Sequence, residues 1–133
     1  MDVTETHTVD AGEQDEHGYY DYYYAYTDIV FADDDHAIEL HFLFYDDEDE
    51  VFFERIRDGN RIMAVYDGKQ AYKMIRSPLH PIACHKRFPK DLPLFRQACT
   101  YLRDTKGLKQ LKVYKPTVRG EPFSTFLLDD FAI

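Results

Sequence analysis

Two clusters of carboxylates border one apolar segment of the chain. Residues 33–50 read DDDHAIELHFLFYDDEDE, so three acids precede the apolar segment and five follow it. Clustered carboxylates bind arginine and lysine through charge-assisted, often bidentate hydrogen bonds. We therefore take all eight as candidate partner-binding residues: Asp33, Asp34, Asp35, Asp46, Asp47, Glu48, Asp49 and Glu50.

A block of tyrosines just before these acids is a second candidate binding element. Residues 19–31 read YYDYYYAYTDIVF, and in a strand Tyr20, Tyr22 and Tyr24 share one face. Tyrosine combines a large rigid contact area with a polar tip and is enriched at interface hot spots. We predict that these three anchor a partner. The alternative is that one tyrosine row packs under a helix while the other covers a sheet edge.

Charge is divided unevenly between two parts of the chain. Residues 1–54 contain eighteen acids and no Lys or Arg, whereas residues 55–133 contain sixteen bases and seven acids. The two parts therefore carry −18 and +9, which sum to the net charge of −9. Such asymmetry suggests a charged partner or a charged tail. Ion pairing across the sheet, a halophilic surface, or charged turns that protect the sheet from aggregation would also account for it.

Catalytic motifs are missing from the sequence. Ser77 and Ser124 are the only serines, and neither lies in a G-x-S-x-G pattern. The six glycines form no P-loop and no G-x-G-x-x-G, and no pair of carboxylates stands out for acid–base work. We therefore expect a protein that is not an enzyme and that uses no cofactor.

Metal ligation is weakly indicated. His36 and His41 are five residues apart, which places them on opposite faces of a strand. DDEDE lacks the glycine and the terminal Glu of an EF-hand loop. A further set has residue types that zinc accepts but no familiar ligand spacing, and it comprises His80, Cys84, His85 and Cys99. We expect no metal site. The loop cysteine, Cys84, would then be buried as a small apolar side chain, and the histidines would be solvated.

Length and composition are typical of one folded domain. The chain has 133 residues, of which 44% are hydrophobic and 16% aromatic. Residues 1–18 are acidic and have little to bury, so we predict a flexible tail there and a single α+β domain over residues 19–133. No apolar run approaches the ~20 residues of a membrane helix, no signal-peptide blocks are present, and two cysteines are too few for a disulfide framework. We expect a cytoplasmic protein with reduced thiols and no membrane association.

Hydrophobic periodicity places these residues on a sheet and one helix. Alternation from Ile38 to Phe44 predicts a half-buried strand, with a strand before it and another at 51–57. The acidic turns then lie at opposite ends of the central strand. Asp58-Gly59 and Asp67-Gly68 predict two hairpins, and residues 77–90 are irregular because they contain three prolines.

The C-terminal part of the chain predicts the helix and the last strands. A helix capped by Asp91, with an apolar stripe at Phe95, Ala98, Cys99 and Leu102, ends at Gly107. Two strands follow, at 109–115 and 123–131. The predicted fold class is α+β, with an antiparallel β-meander of about five to seven strands and one helix packed on one face.

Three functions fit these features. The favoured one is a small acidic inhibitor or modulator that presents carboxylates to the basic groove of a nucleic-acid-binding enzyme or complex. It would act as a nucleic-acid mimic, by analogy with the anti-CRISPR and anti-restriction proteins of phages and mobile elements. The segments HKRF and KQLKVYK could contact nucleic acid directly, but eighteen nearby negative charges disfavour this.

The other two functions belong to different classes. One is a small α+β enzyme or ligand-binding domain with a pocket between a curved sheet and the helix. The residues that would line the pocket are His41, Tyr45, Tyr72 and His85. The other is a structural subunit that forms homo-oligomers head to tail through its acidic and basic parts.

Overall fold

The computed structural model describes residues 1–59, 61–64, 90–114 and 123–133. Six strands form a mixed, mostly antiparallel sheet in the order β1-β2-β3-β4-β6-β7, and β5 also pairs with β4. The α+β class is therefore confirmed. The elements are β1 (Asp2–Ala11), β2 (Tyr23–Ala32), β3 (Ile38–Tyr45), β4 (Glu50–Asp58), β5 (Arg61–Ala64), helix α1 (Pro93–Asp104), β6 (Gln110–Tyr114), β7 (Phe123–Leu127) and a 3-10 turn (Leu128–Asp130).

Strand β1 corrects one expectation. It pairs with β2 from Asp2 opposite Ala32 to Ala11 opposite Tyr23, so the predicted tail is wrong for residues 2–11. The segment is polar, but an edge strand needs few apolar side chains because its other edge and much of its surface face water. Its backbone hydrogen bonds to β2 hold it in place, and composition alone does not reveal them.

The β1–β2 hairpin continues beyond the two strands. Gly12 N–H donates to the Tyr22 carbonyl at 2.9 Å, and Asp15 N–H donates to the Tyr19 carbonyl at 2.8 Å. Strand β3 pairs with β2 only as far as Tyr26. Residues 9–25 therefore project past β3 as a two-stranded arm, which we call the hairpin arm.

Strands β3 and β4, both predicted as strands, form the centre of the sheet. Phe42 lies opposite Ile29 on β2 and opposite Phe53 on β4, and all three side chains are fully buried. The register of β3 and β4 shifts between His41 and Phe42, which is the signature of a β-bulge. Leu43, on the opposite face of β3, is also fully buried and lies opposite Phe52, so β3 is buried on both faces in this part and not half-buried as predicted.

The predicted meander is wrong at β6. This strand pairs in parallel with β4, from Gln110 opposite Glu50 to Val113 opposite Phe53. Parallel neighbours require a long crossover connection, and the segment between β4 and β6 includes α1. The first predicted hairpin is present, and Asp58 pairs with Arg61 across it. The Asp67-Gly68 hairpin lies outside the described residues.

Helix α1 starts one residue later than predicted. Pro93 is its first residue, and Leu92 occupies the cap position with an extended backbone and no side-chain cap bond. The Asp91 cap is therefore wrong, because a residue before proline is restricted to extended conformations and so Leu92 itself must end the non-helical segment. In the described ranges, no helix is long and apolar enough to span a membrane.

The apolar stripe of α1 is confirmed, but the helix ends at Asp104, three residues before the predicted Gly107. Phe95, Ala98, Cys99 and Leu102 are each fully buried, and the Phe95 ring lies 6.1 Å from that of Phe42 and 5.6 Å from that of Phe53. Gly107 has a φ of +69°, a conformation that glycine adopts without strain. Gly107 N–H bonds to the Arg103 carbonyl, which is the 5→1 bond of an αL motif, and Leu108 N–H bonds to the Leu102 carbonyl.

Candidate binding site

The second acidic turn, residues 46–50, is held by its backbone to two other parts of the sheet. Asp46 N–H donates to the Ala25 carbonyl at 3.0 Å. The Asp49 carbonyl accepts from Lys109 N–H at 2.7 Å and from Gln110 N–H at 3.1 Å. Because these bonds reach β2 on one side and β6 on the other, the turn presents its side chains from a fixed backbone.

A polar cluster anchors the first side chain of this turn. Thr27 Oγ1 donates to Asp46 Oδ1 at 3.3 Å, and His7 Nδ1 lies 3.2 Å from Thr27 Oγ1 and 3.4 Å from Asp46 Oδ2. A threonine, a histidine and a carboxylate suggest a nucleophilic triad, but a triad uses a different imidazole nitrogen for each partner. Here both contacts involve Nδ1, so the cluster fits a structural anchor better than a proton relay.

The remaining acids of the second turn repel one another. The neighbouring Glu50 carboxyl, through a shared hydrogen bond, raises the pKa of Glu48; burial and the charges of Asp47 and Asp49 act in the same direction. Glu50 also lies 3.6 Å from Lys112 Nζ. Within the described residues, Asp47, Glu48 and Asp49 form no ion pair with a base. The turn therefore carries unneutralised negative charge that a cationic group would stabilise.

A groove of about 590 Å³ lies between the hairpin arm and the second acidic turn. We call it the tyrosine–carboxylate groove. Its volume falls in the range typical of ligand sites, roughly 300–1,000 Å³. One wall comes from the start of β2 and the other from the end of β3 with its following turn; the lining residues are Tyr23, Tyr24, Ala25, Tyr45, Asp46, Asp47 and Glu48.

Aromatic rings continue from this groove along the hairpin arm. The ring of Tyr24 lies 6.4 Å from that of Tyr45 and 6.0 Å from that of Tyr22, and the rings of Tyr20 and Tyr23 are 5.5 Å apart. Five tyrosines of the arm are each 45–72% exposed, namely Tyr19, Tyr20, Tyr22, Tyr23 and Tyr24. Grouped exposed aromatic side chains mark interaction sites more often than isolated exposed residues do.

The first acidic turn, residues 33–35, uses its acids differently. Asp33 Oδ1 accepts from Ile38 N–H at 3.1 Å and so closes the turn. Asp34 Oδ1 accepts from the ammonium of Met1 at 2.9 Å, and this hydrogen bond lowers the pKa of Asp34. His36 Nε2 lies 2.8 Å from Asp2 Oδ2. Two of the three acids are therefore engaged within the chain.

A second ionic cluster lies beside the first turn. Arg57 Nη2 is 2.7 Å from Glu39 Oε1 and donates to the His36 carbonyl at 3.0 Å. The hydrogen bond from Arg57 lowers the pKa of Glu39 to about 2, and a hydrogen bond from His41 acts in the same direction. Burial lowers the pKa of His41 despite this contact with Glu39. His41 thus belongs to this cluster and does not line the tyrosine–carboxylate groove.

Cys99, the helix cysteine of the candidate zinc set, is buried in the core. Cys99 is a free thiol, and burial raises its pKa to about 12. The thiolate is the form that binds metals, so this environment does not favour ligation. In the described ranges, no three His, Cys, Asp or Glu side chains are grouped to hold a metal ion. The other residues of the candidate zinc set, His80, Cys84 and His85, lie outside these ranges, and so does the candidate pocket residue Tyr72.

The structure brings part of the predicted site together. Tyr24 meets three acids of the second turn in the groove, with Tyr20 and Tyr22 further along the arm. The first turn lies at the opposite end of β3, a strand whose eight residues span roughly 26 Å. Tyr23 and Ala25 also line the groove, but they were not predicted as site residues. They are accessible there because β3 stops pairing with β2 at Tyr26. Hydrophobic periodicity does not show where a strand pairing ends.

No protein-family model matches the chain, and neither a curated protein nor a solved structure shows significant similarity to it.

Proposed function

We propose that this protein is a small acidic inhibitor or modulator that binds the basic groove of a nucleic-acid-handling protein. The second acidic turn would occupy the place of backbone phosphates, and the tyrosines of the hairpin arm would supply apolar contact area. The single observation that carries this proposal is the tyrosine–carboxylate groove, where exposed aromatic rings adjoin Asp47 and Glu48 on a fixed turn.

Electrostatics supports a cationic partner. Neighbouring acids raise the pKa of Glu48, which means that the ionised turn is destabilised by its own charge. A groove lined by Arg and Lys would relieve this repulsion and would also speed the encounter through long-range attraction. The proposal takes α1 to cover only one face of the sheet, so that the tyrosine row stays accessible at the other.

The proposal includes a place and a mode of action. By analogy with anti-CRISPR and anti-restriction proteins, we infer that the chain comes from a phage or mobile element and acts in the cytoplasm. It would act by binding and not by catalysis, without a cofactor. A ligand-binding or enzymatic role is the second candidate, because the same groove, with Tyr45 in its wall, has the volume of a small-molecule site.

The experiment that tests the proposal compares two variants that lose the same charge. D47N/E48Q/D49N removes three acids of the second turn, and D33N/D34N/D35N removes three acids of the first. Each variant and the parent are immobilised and used to capture basic proteins from a host lysate at low and moderate salt. We expect a nucleic-acid-binding protein to be retained by the parent and by the first-turn variant, lost by the second-turn variant, and released by added duplex DNA.

Other outcomes of this capture experiment would contradict the proposal or favour the second candidate. Equal capture by all three forms, or capture that duplex DNA does not compete with, would contradict a mimic that acts through the second turn. Loss of capture by both variants alike would mean that net charge matters and that the turn does not. Binding of a small molecule that protects Tyr45 from modification, with no captured protein, would favour the ligand-binding candidate.

A further inference from the structure

The aromatic wall of the tyrosine–carboxylate groove has the geometry of a cation site. The rings of Tyr24 and Tyr45 are inclined at 56° with their centroids 6.4 Å apart, and Tyr24 is 52% exposed. The faces of aromatic rings carry partial negative charge and attract cations within about 6 Å of the centroid. A flat cation lying on the Tyr24 ring would therefore have a second ring nearby.

The opposite wall supplies carboxylates to the same space. Asp46, Asp47 and Glu48 line the groove together with the two rings. Asp46 is oriented by Thr27, whereas Asp47 and Glu48 form no ion pair with a base in the part of the chain that the structure describes. The guanidinium of arginine stacks on an aromatic ring and also forms two parallel hydrogen bonds to a carboxylate. The ammonium of lysine is less suited to both interactions.

The floor of the groove offers backbone groups for an extended chain. The Ala25 carbonyl points toward β3, because it accepts from Asp46 N–H. Strand residues two apart direct their backbone groups to the same side, so the N–H and carbonyl of Tyr23 also point that way. Strand β3 no longer pairs with β2 at this position, and no described residue takes its place.

We propose that the tyrosine–carboxylate groove binds an arginine side chain carried on an extended segment of the basic partner. The guanidinium stacks on Tyr24 near Tyr45 and pairs with Asp47 or Glu48, while the segment's backbone bonds to Tyr23. This inference rests on the proposed function and adds the chemistry of the partner: an arginine in an extended strand, in preference to lysine or a nucleic acid.

Oligo-arginine and oligo-lysine peptides of equal length test this on the parent protein without any mutation. We expect the arginine peptide to bind about 5-fold more tightly at physiological salt, the factor that roughly 1 kcal/mol of stacking provides. Y24L, which removes the ring, reduces the preference to within about 2-fold. Y24F keeps the ring and keeps the preference. On binding, hydrogen exchange at the Tyr23 amide should slow.

The outcomes separate this inference from the proposed function. In one outcome, the parent binds the two peptides with equal affinity while D47N/E48Q/D49N binds neither. That result would overturn arginine recognition but would still support a basic partner that binds the second acidic turn. Binding of neither peptide, or binding that the triple variant does not weaken, contradicts both. A Tyr23 amide that exchanges at its free rate in the complex overturns the extended segment. Salt-sensitive self-association without peptide would identify a second copy of this chain as the source of the arginine and overturn an external partner.

Discussion

The two acidic turns have nearly the same composition but opposite electrostatic surroundings. In the first turn, the Met1 ammonium lowers the pKa of Asp34, and Arg57 lowers that of nearby Glu39. In the second turn, neighbouring acids raise the pKa of Glu48. Acids that are neutralised within the chain stabilise the fold, whereas acids that repel one another are available to an external cation. Clustering of charge in a sequence therefore does not by itself identify a binding surface.

Breaking the anchor of the second turn should have the largest effect on stability. T27V removes the hydroxyl that donates to Asp46 and lies near His7, and hydrogen bonds to charged groups contribute about 1.5–3 kcal/mol. We expect a loss of about 1.5 kcal/mol in the free energy of unfolding, because Asp46 can be partly resolvated. Urea denaturation measures it. T27S keeps the hydroxyl and serves as the control; an equal loss in T27S would attribute the effect to packing.

Removing one acid from each turn compares their structural roles directly. D33A deletes the acceptor for Ile38 N–H and should cost about 1 kcal/mol, as the loss of a side-chain cap does. D47A removes an exposed acid whose side chain forms no hydrogen bond or ion pair within the described residues, and the change should stay within about 0.5 kcal/mol. Urea denaturation measures both changes. D33N serves as the control because its side-chain oxygen can still accept the hydrogen bond from Ile38 N–H. A larger cost for D47A than for D33A would reverse the assignment of the two turns.

The pH dependence of stability should distinguish the ionic cluster near the first turn. Glu39 has a pKa of about 2 in the folded protein and an ordinary value of 4.5, so the unfolded chain binds more protons between these values. Its contribution is complete above pH 4.5 and is lost as the pH falls toward 2. We expect E39Q to be less stable than the parent at neutral pH and to approach the parent in acid. A difference that stays constant down to about pH 2 would show that Arg57 does not set this pKa.

Glu48 should show the opposite sign and the smallest effect. Its pKa is raised, so the folded protein binds more protons than the unfolded chain above pH 4.5, and ionised Glu48 opposes folding as the pH rises. E48Q should therefore be slightly more stable than the parent at neutral pH, by less than about 0.5 kcal/mol. Carboxyl NMR titration gives the direct measurement. A Glu48 resonance that titrates below 4.5 would contradict mutual repulsion in the turn.

The sequence predicted the strongly periodic elements well. The alternation of β3 and the stripe of α1 both identify buried faces, and Phe42, Phe53 and Phe95 meet in the core. Gly107 lies three residues after the last residue of α1 and has a positive φ, which suits the glycine predicted there. These features depend on local spacing, which a single sequence displays directly.

Two of the strand pairings were not predicted. The polar pattern of β1 does not reveal that it pairs with β2, and the parallel contact of β6 with β4 depends on a crossover that periodicity does not specify. For the site, residue types singled out Tyr24 and the acids of the second turn. The groove itself depends on where β3 stops pairing with β2, which is a property of strand lengths and register.

The parallel pairing of β6 with β4 has a consequence for the order of assembly. Strands β1 to β4 are joined by hairpins and can pair early, whereas β6 must wait for a long loop to close and for α1 to dock. The Asp49 carbonyl of the second turn bonds to Lys109 and Gln110 at the start of β6. We therefore expect this turn to become rigid in the last stage of folding, so that a partly folded chain would present its acids on a loose loop.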